Sequence, residues 1–259
     1  MKKVRIVFDL VNLAVNIFEP RKSNGKLAVV LPDFIGTKDY PWLISLCQEL
    51  CELGFLVVSF DPRGTWESAS DISEYMITNY AQDIDVIIDF VERKYQFFAK
   101  ILLCGHSLGG TVGLGYSISN ERIYAVAAIM PPPNIKSVSF LRRNLDCWRE
   151  DGELDLVRVS PITEKLFRFC VPYSFVEDGL QYDLLNLNYP RDKHYLLLAG
   201  GKDKVIMAGN IGLVFGQIIK TCNLATIVIV NNLGHNYQAF NNGVKEVNDL
   251  IKKWLFEII

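Results

Sequence analysis

No uninterrupted apolar run in the 259 residues approaches the roughly 18 that a transmembrane helix needs. An excess of one charge is missing too. Lys plus Arg number 27 and Asp plus Glu 29, a net charge of -2, so no basic face recommends nucleic acid as a partner. Histidine is scarce, at three residues, which shortens any search for a general base. The six cysteines are spread through apolar stretches. Cys47 and Cys51 share one helical face, but no nearby Cys or His completes a metal set, so they read as buried free thiols. Internal repeats, linkers and low-complexity segments are absent. The opening Met1-Lys2-Lys3-Val4-Arg5 has the charge of a signal peptide, but Arg5 and Asp9 interrupt the apolar run that should follow, and no small-residue cleavage site appears. The chain therefore reads as a mature cytoplasmic protein without a membrane partner.

What is present is ordinary globular composition, 50% apolar and 22% charged, with a core large enough to need no staples. At about 150 residues per domain the length fits one or two domains. Short β-branched runs alternate with amphipathic helices, the pattern of a parallel sheet covered by helices. Strands are expected at Val4 to Phe8, Val11 to Phe18, Lys26 to Leu31, Phe55 to Phe60, Lys100 to Cys104, Tyr124 to Ile129, His194 to Ala199 and Ala225 to Val230. Helices are expected over Pro41 to Leu53, Asn79 to Arg93, Gly109 to Ser119, Ile211 to Thr221 and Val244 to Ile259. The rhythm fails at Pro131-Pro132-Pro133. The stretch to Pro190 is dense in apolar and aromatic residues and reads as a largely helical inserted cap of roughly 60 residues, too long for a plain loop. The expected division is residues 1–130 and 191–259 as core and 131–190 as cap.

The informative stretch is Ile101-Leu102-Leu103-Cys104-Gly105-His106-Ser107-Leu108-Gly109-Gly110. G-x-S-x-G alone arises by chance in roughly one chain in ten of this length. Here a buried strand precedes it and a small-residue helix follows, the strand–turn–helix setting the motif requires. A serine at a tight, strained turn needs neighbours without side-chain bulk two residues before and after. The turn lifts Ser107 Oγ above the sheet edge, where the Leu108 N–H can face a developing oxyanion.

A serine hydroxyl needs a base. His106 adjoins the serine on the turn and is expected to point elsewhere, and His194 opens a strand without an obvious partner. His235 follows the last strand at the carboxyl end of the sheet, where open α/β folds bind ligands. The acid should lie between serine and histidine in the chain. Asp203 follows the strand His194 to Ala199, again at a carboxyl end, with a turn or capping aspartate as its structural alternative. Asp192 sits at the wrong end of the sheet, and Glu177 and Asp178 fall in the cap.

At these residues the chain resembles the α/β-hydrolases over essentially its whole length. Gly105 to Gly110 resembles the nucleophile elbow, Asp203 the acid loop and His235 the histidine loop. Asp61-Pro62-Arg63-Gly64 resembles the loop after an earlier strand in many small hydrolases and peptidases. The resemblance implies a mostly parallel sheet of about eight strands with a cap after the strand ending near Ile129. It also implies the Phe34 N–H as a second oxyanion donor. Phe34 to Tyr40 and the long cap look most like bacterial esterases of the cinnamoyl or feruloyl type, with acyl-peptidase-like and thioesterase-like members as near neighbours.

Two departures stand out. Many relatives have His-Gly before the oxyanion-loop aromatic, where this chain has Pro32-Asp33-Phe34. Asp33 is either a turn residue or a negative charge beside the oxyanion. Trp66 stands where relatives often have glycine, and either narrows the pocket or covers surface. Arg63 is expected to anchor a loop.

The expected activity is cofactor-free serine hydrolysis of a small, partly hydrophobic carboxylic ester. Ser107 is the nucleophile, His235 the base, Asp203 the orienting acid, and Phe34 and Leu108 supply the oxyanion amides. The alternatives are thioester or peptide hydrolysis with the same residues, and a binding module disabled by the altered oxyanion loop.

Overall fold

The computed structural model describes residues 1–9, 11–68, 70–95, 98 and 100–258. The β-branched runs build one eight-stranded sheet from β1 (Lys2–Phe8), β2 (Val11–Phe18), β3 (Lys26–Leu31), β4 (Leu56–Phe60), β5 (Lys100–His106), β6 (Ile123–Ile129), β9 (His194–Gly200) and β10 (Ala225–Val230). The strand order is β1-β2-β4-β3-β5-β6-β9-β10. β1 and β2 pair antiparallel, as do β2 and β4, and every other neighbour pair is parallel. The central strands β3 and β5 are buried along nearly their whole length, because helices cover both faces.

The helices are α1 (Pro41–Glu52), α2 (Ile77–Tyr95), α3 (Leu108–Ser117), α6 (Ala208–Ile218) and α7 (Gly243–Ile258). α1, α2 and α7 follow apolar stripes in the sequence. In α1, Leu43, Leu46, Cys47 and Leu50 are buried, and Pro41 occupies the first turn, where its missing N–H costs nothing. In α2, Tyr80, Ile84, Ile87 and Val91 face the core. The last helix was expected to reach Ile259, which lies outside the described residues. Among the described residues no helix is long and apolar enough to cross a membrane.

β6 and β9 are neighbours in the sheet, and the chain between them leaves it. This crossover holds α4 (Ser139–Asp151), the antiparallel hairpin of β7 (Glu153–Val159) and β8 (Leu166–Pro172), and the short α5 (Ser174–Gly179). The expectation of a largely helical insertion is corrected by the hairpin. Its signal was period two, with Phe167, Phe169 and Val171 on one face of β8. Cross-strand packing of these residues decides the conformation, and aromatic density alone does not distinguish helix from strand.

Trp66 joins the hairpin to the core. Its ring lies 5.3 Å from Phe167 and 5.2 Å from Phe169, and its Nε1–H donates to the Ile35 carbonyl at 3.1 Å.

Candidate active site

The carboxyl ends of β5, β9 and β10 bring three side chains together. Ser107 sits between β5 and α3 with φ 51° and ψ -119°, a conformation that costs a non-glycine residue about 1–3 kcal/mol. Two contacts fix it. Its N–H donates to the Ile129 carbonyl at 2.8 Å, and its own carbonyl accepts from the Thr111 N–H at 3.1 Å. The flanking glycines are required by space. A Cβ on Gly105 would fall 2.3 Å from the Gly109 carbonyl, and one on Gly109 would fall 2.4 Å from the Leu31 carbonyl oxygen.

His235, in the loop after β10, lies with Nε2 2.9 Å from Ser107 Oγ. Its Nδ1 lies 2.8 Å from Asp203 Oδ2, in the loop after β9. An Nδ1–H donating to the carboxylate leaves Nε2 free to accept the serine proton. Asp203 Oδ1 accepts from the Val205 and Ile206 N–H groups, each at 2.8 Å, so its orientation does not depend on His235. Ser107, Asp203 and His235 are 8%, 7% and 9% exposed, which keeps their hydrogen bonds out of competition with bulk water.

The other acid candidates lie elsewhere. Asp178 accepts from the Thr78 N–H at 3.0 Å and from the Thr78 hydroxyl, tying α5 to α2. His106 points away from the cavity, and its Nε2–H donates to the His235 carbonyl at 3.1 Å. Burial pushes its pKa down to about 3, helped by His235 and opposed by that bond, so the ring is neutral. It buttresses the loop that carries His235.

Phe34 and Leu108 both line the cavity that Ser107 and His235 open into. Leu108 is the first residue of α3, so its N–H has no intrahelical acceptor. Among the described residues the Phe34 N–H has no protein acceptor either.

Asp33 makes a turn, its carbonyl accepting from the Gly36 N–H at 2.9 Å, and it also borders the cavity. A Cβ on Gly36 would fall 2.0 Å from Asp33 Oδ1, so the glycine makes room for this carboxyl. Its Oδ2 lies 3.7 Å from His106 Nδ1, a buried nitrogen with no hydrogen-bond partner of its own. Burial raises the Asp33 pKa to about 6, against the pull of His235 and Arg158.

The loop holding Phe34 is clamped from beneath. Lys38, 1% exposed, reaches Asp61 Oδ2 at 3.0 Å, Asp39 at 2.7 Å and Glu67 at 2.5 Å. Burial alone would depress the Lys38 pKa, but Asp61 first, then Asp39 and Glu67, hold it above its usual range. The three carboxylates have metal-like spacing, yet they meet on the Lys38 ammonium. Arg63 anchors its loop as expected, with Nε donating to Asp83 Oδ1 at 2.6 Å.

The cavity measures about 160 Å³. Several of its walls come from the crossover: Val138, Phe140, Leu141, Arg158, Phe175 and Tyr182. All six lie in the stretch whose apolar and aromatic density stands out in the sequence, but no motif attaches to any of them.

The chain has the fold of the α/β-hydrolases, with mouse alpha/beta hydrolase domain-containing protein 10 aligning at TM-score 0.76 over 100% of both chains at 18% identity. Est1E from Butyrivibrio proteoclasticus, with ferulic acid bound, aligns at TM-score 0.72 over 98% of both chains at 16% identity. GrgF from Penicillium aligns at 0.77, covering 98% of this chain and 97% of that one at 17% identity. In sequence, the family model described as serine aminopeptidase, S33, matches residues 37–149, a span that includes Ser107 but ends before Asp203 and His235. The palmitoyl-protein thioesterase ABHD10, mitochondrial, of Rattus norvegicus is 23% identical over 190 residues, 71% of this chain. The match spans only 61% of that relative's length. The resemblance to the α/β-hydrolases therefore holds at the level of the fold.

Proposed function

We propose that the protein is a cofactor-free serine hydrolase cleaving a small, partly hydrophobic carboxylic ester. The observation that carries this reading is the unbroken hydrogen-bonded chain from Ser107 Oγ through His235 to Asp203 at 2.9 and 2.8 Å. In this reading His235 Nε2 takes the Ser107 proton as Oγ attacks the carbonyl. The Phe34 and Leu108 amides hold the oxyanion, and His235 then protonates the leaving alcohol. Water repeats the sequence to release the acid. Asp203 keeps the ring in the right tautomer and stabilises its charged form. Residues 1–130 and 191–259 form the catalytic core, and 131–190 act as a cap over the cavity.

Thioester cleavage is the second reading, favoured by the relatives named as palmitoyl-protein thioesterases. Matched oxygen-ester, thioester and amide substrates separate these chemistries.

The deciding experiment is a fluorophosphonate probe on the native chain beside Ser107→Ala and His235→Ala. Labelling of the native chain alone is expected. No labelling of the folded native chain, with no turnover of any ester, would favour the binding-module alternative.

A further inference from the structure

The cavity beside Ser107 is walled mainly by apolar side chains, and yet Arg158 of β7 enters it. Register makes this placement specific. Along β7, Leu154, Leu156 and Arg158 turn inward, while Val157 and Val159 are 52% and 56% exposed. A slip of one residue would bury both valines and put the arginine in water. The hairpin instead holds the guanidinium on its inner face, opposite Phe167.

Pairing supplies a second, independent observation. The hairpin's other arginine, Arg168, faces outward and grips Asp155 with Nε and an Nη, each at 2.7 Å. Arg158 has no ion-pair partner among the described residues, and the hydrogen bond it makes is to the Val157 carbonyl at 3.1 Å. Asp33 shares the cavity and feels the charge of Arg158, but its carboxyl is turned against Gly36 and His106. A guanidinium carries five donors in a planar fork suited to a carboxylate, and low-polarity walls strengthen such a bond.

We propose that Arg158 is the specificity-determining residue of this site, and that the substrate is an ester bearing a carboxylate away from the scissile carbonyl. This rests on the serine-ester reading above. The apolar walls take the carbon chain, and the arginine takes the charged end.

Three esters test it: phenyl hexanoate, monophenyl adipate, with the carboxylate on the acyl side, and 3-carboxyphenyl hexanoate, with it on the alcohol side. The native enzyme should favour at least one charged ester over phenyl hexanoate by about ten-fold or more in kcat/KM. Arg158→Met should bring that ratio to about one, and Arg158→Lys should restore part of it. A folding defect lowers all three esters together and leaves both ratios unchanged. Both ratios at or below one in the native enzyme, or a preference that survives Arg158→Met, would overturn the proposal. Calorimetric binding of the same esters to Ser107→Ala, with and without Arg158→Met, reads the same ratio without turnover. That arm decides the role of Arg158 even where hydrolysis and fluorophosphonate labelling fail, and their failure counts against the serine-ester reading alone.

Discussion

At the scale of residues, two neighbours of the proposed triad set opposite pH responses. Asp33, raised to about 6, is neutral below that pH and negative above it, and it borders the cavity one residue before the proposed oxyanion donor Phe34. Asp33→Asn should therefore change kcat little at pH 5 and raise it several-fold, about 3–10, at pH 8. Equal effects at both pH values would place the charge too far from the reaction to matter. His106 works on stability. Its folded pKa of about 3 lies below the unfolded value near 6.5, so the unfolded chain binds more protons between them. Stability from this group is present above about pH 6.5 and is lost as pH falls toward 3. Asp33 and Asp83, both raised to about 6, act the other way, stabilising the fold as pH falls from 6 toward 4. Urea midpoints at pH 7 and pH 5 should drop more in the native chain than in His106→Asn. If Asp203 orients His235 as proposed, Asp203→Asn should lower kcat by roughly 10³–10⁴-fold with KM little changed, read from initial rates.

At the scale of elements, α3 packs so tightly on the end of β3 that Gly109 holds the elbow and the Phe34 loop in one frame. Gly109→Ala must push the Leu31 and Pro32 carbonyls away, since its Cβ would fall 2.4 and 2.5 Å from their oxygens. The expected cost is about 1–3 kcal/mol in chemical denaturation, with kcat falling more than KM rises. The elbow was legible in the sequence because it is local: a β-branched strand, glycines at fixed offsets and a small-residue helix lie within twenty residues. The helical stripes of α1, α2 and α7 were legible for the same reason. The β7–β8 hairpin was not, because Arg158 occupies an inward position and Val157 and Val159 outward ones, which inverts the usual reading of alternation. Chain order and sheet position singled out Asp203 and His235 as candidates, but their 2.8 Å contact joins residues 32 apart and no sequence pattern encodes it. The cavity walls from α4, β7 and α5 were illegible because they belong together only after the crossover has docked.

At the scale of the whole molecule, buried charge ties the sheet to the loops above it. Lys38 joins the segment after β3 to Asp61, in the loop after β4, and to Glu67 beyond it. Lys38→Met would leave carboxylates buried without their cation. It should cost about 3–5 kcal/mol, measured by urea unfolding, whereas exposed, solvent-screened pairs such as Lys245 with Asp249 should contribute little.

The separation of 128 positions between Ser107 and His235 also sets a schedule. Contacts so distant in the chain form late, since the loop between them must close first. During synthesis the elbow leaves the ribosome with most of the sheet, while the histidine arrives with the final strand. A refolding chain should recover its far-ultraviolet dichroism before it recovers covalent labelling at Ser107. Under the proposed mechanism the serine thus stays unactivated through the slow part of folding, when exposed peptide groups of neighbouring chains are within its reach.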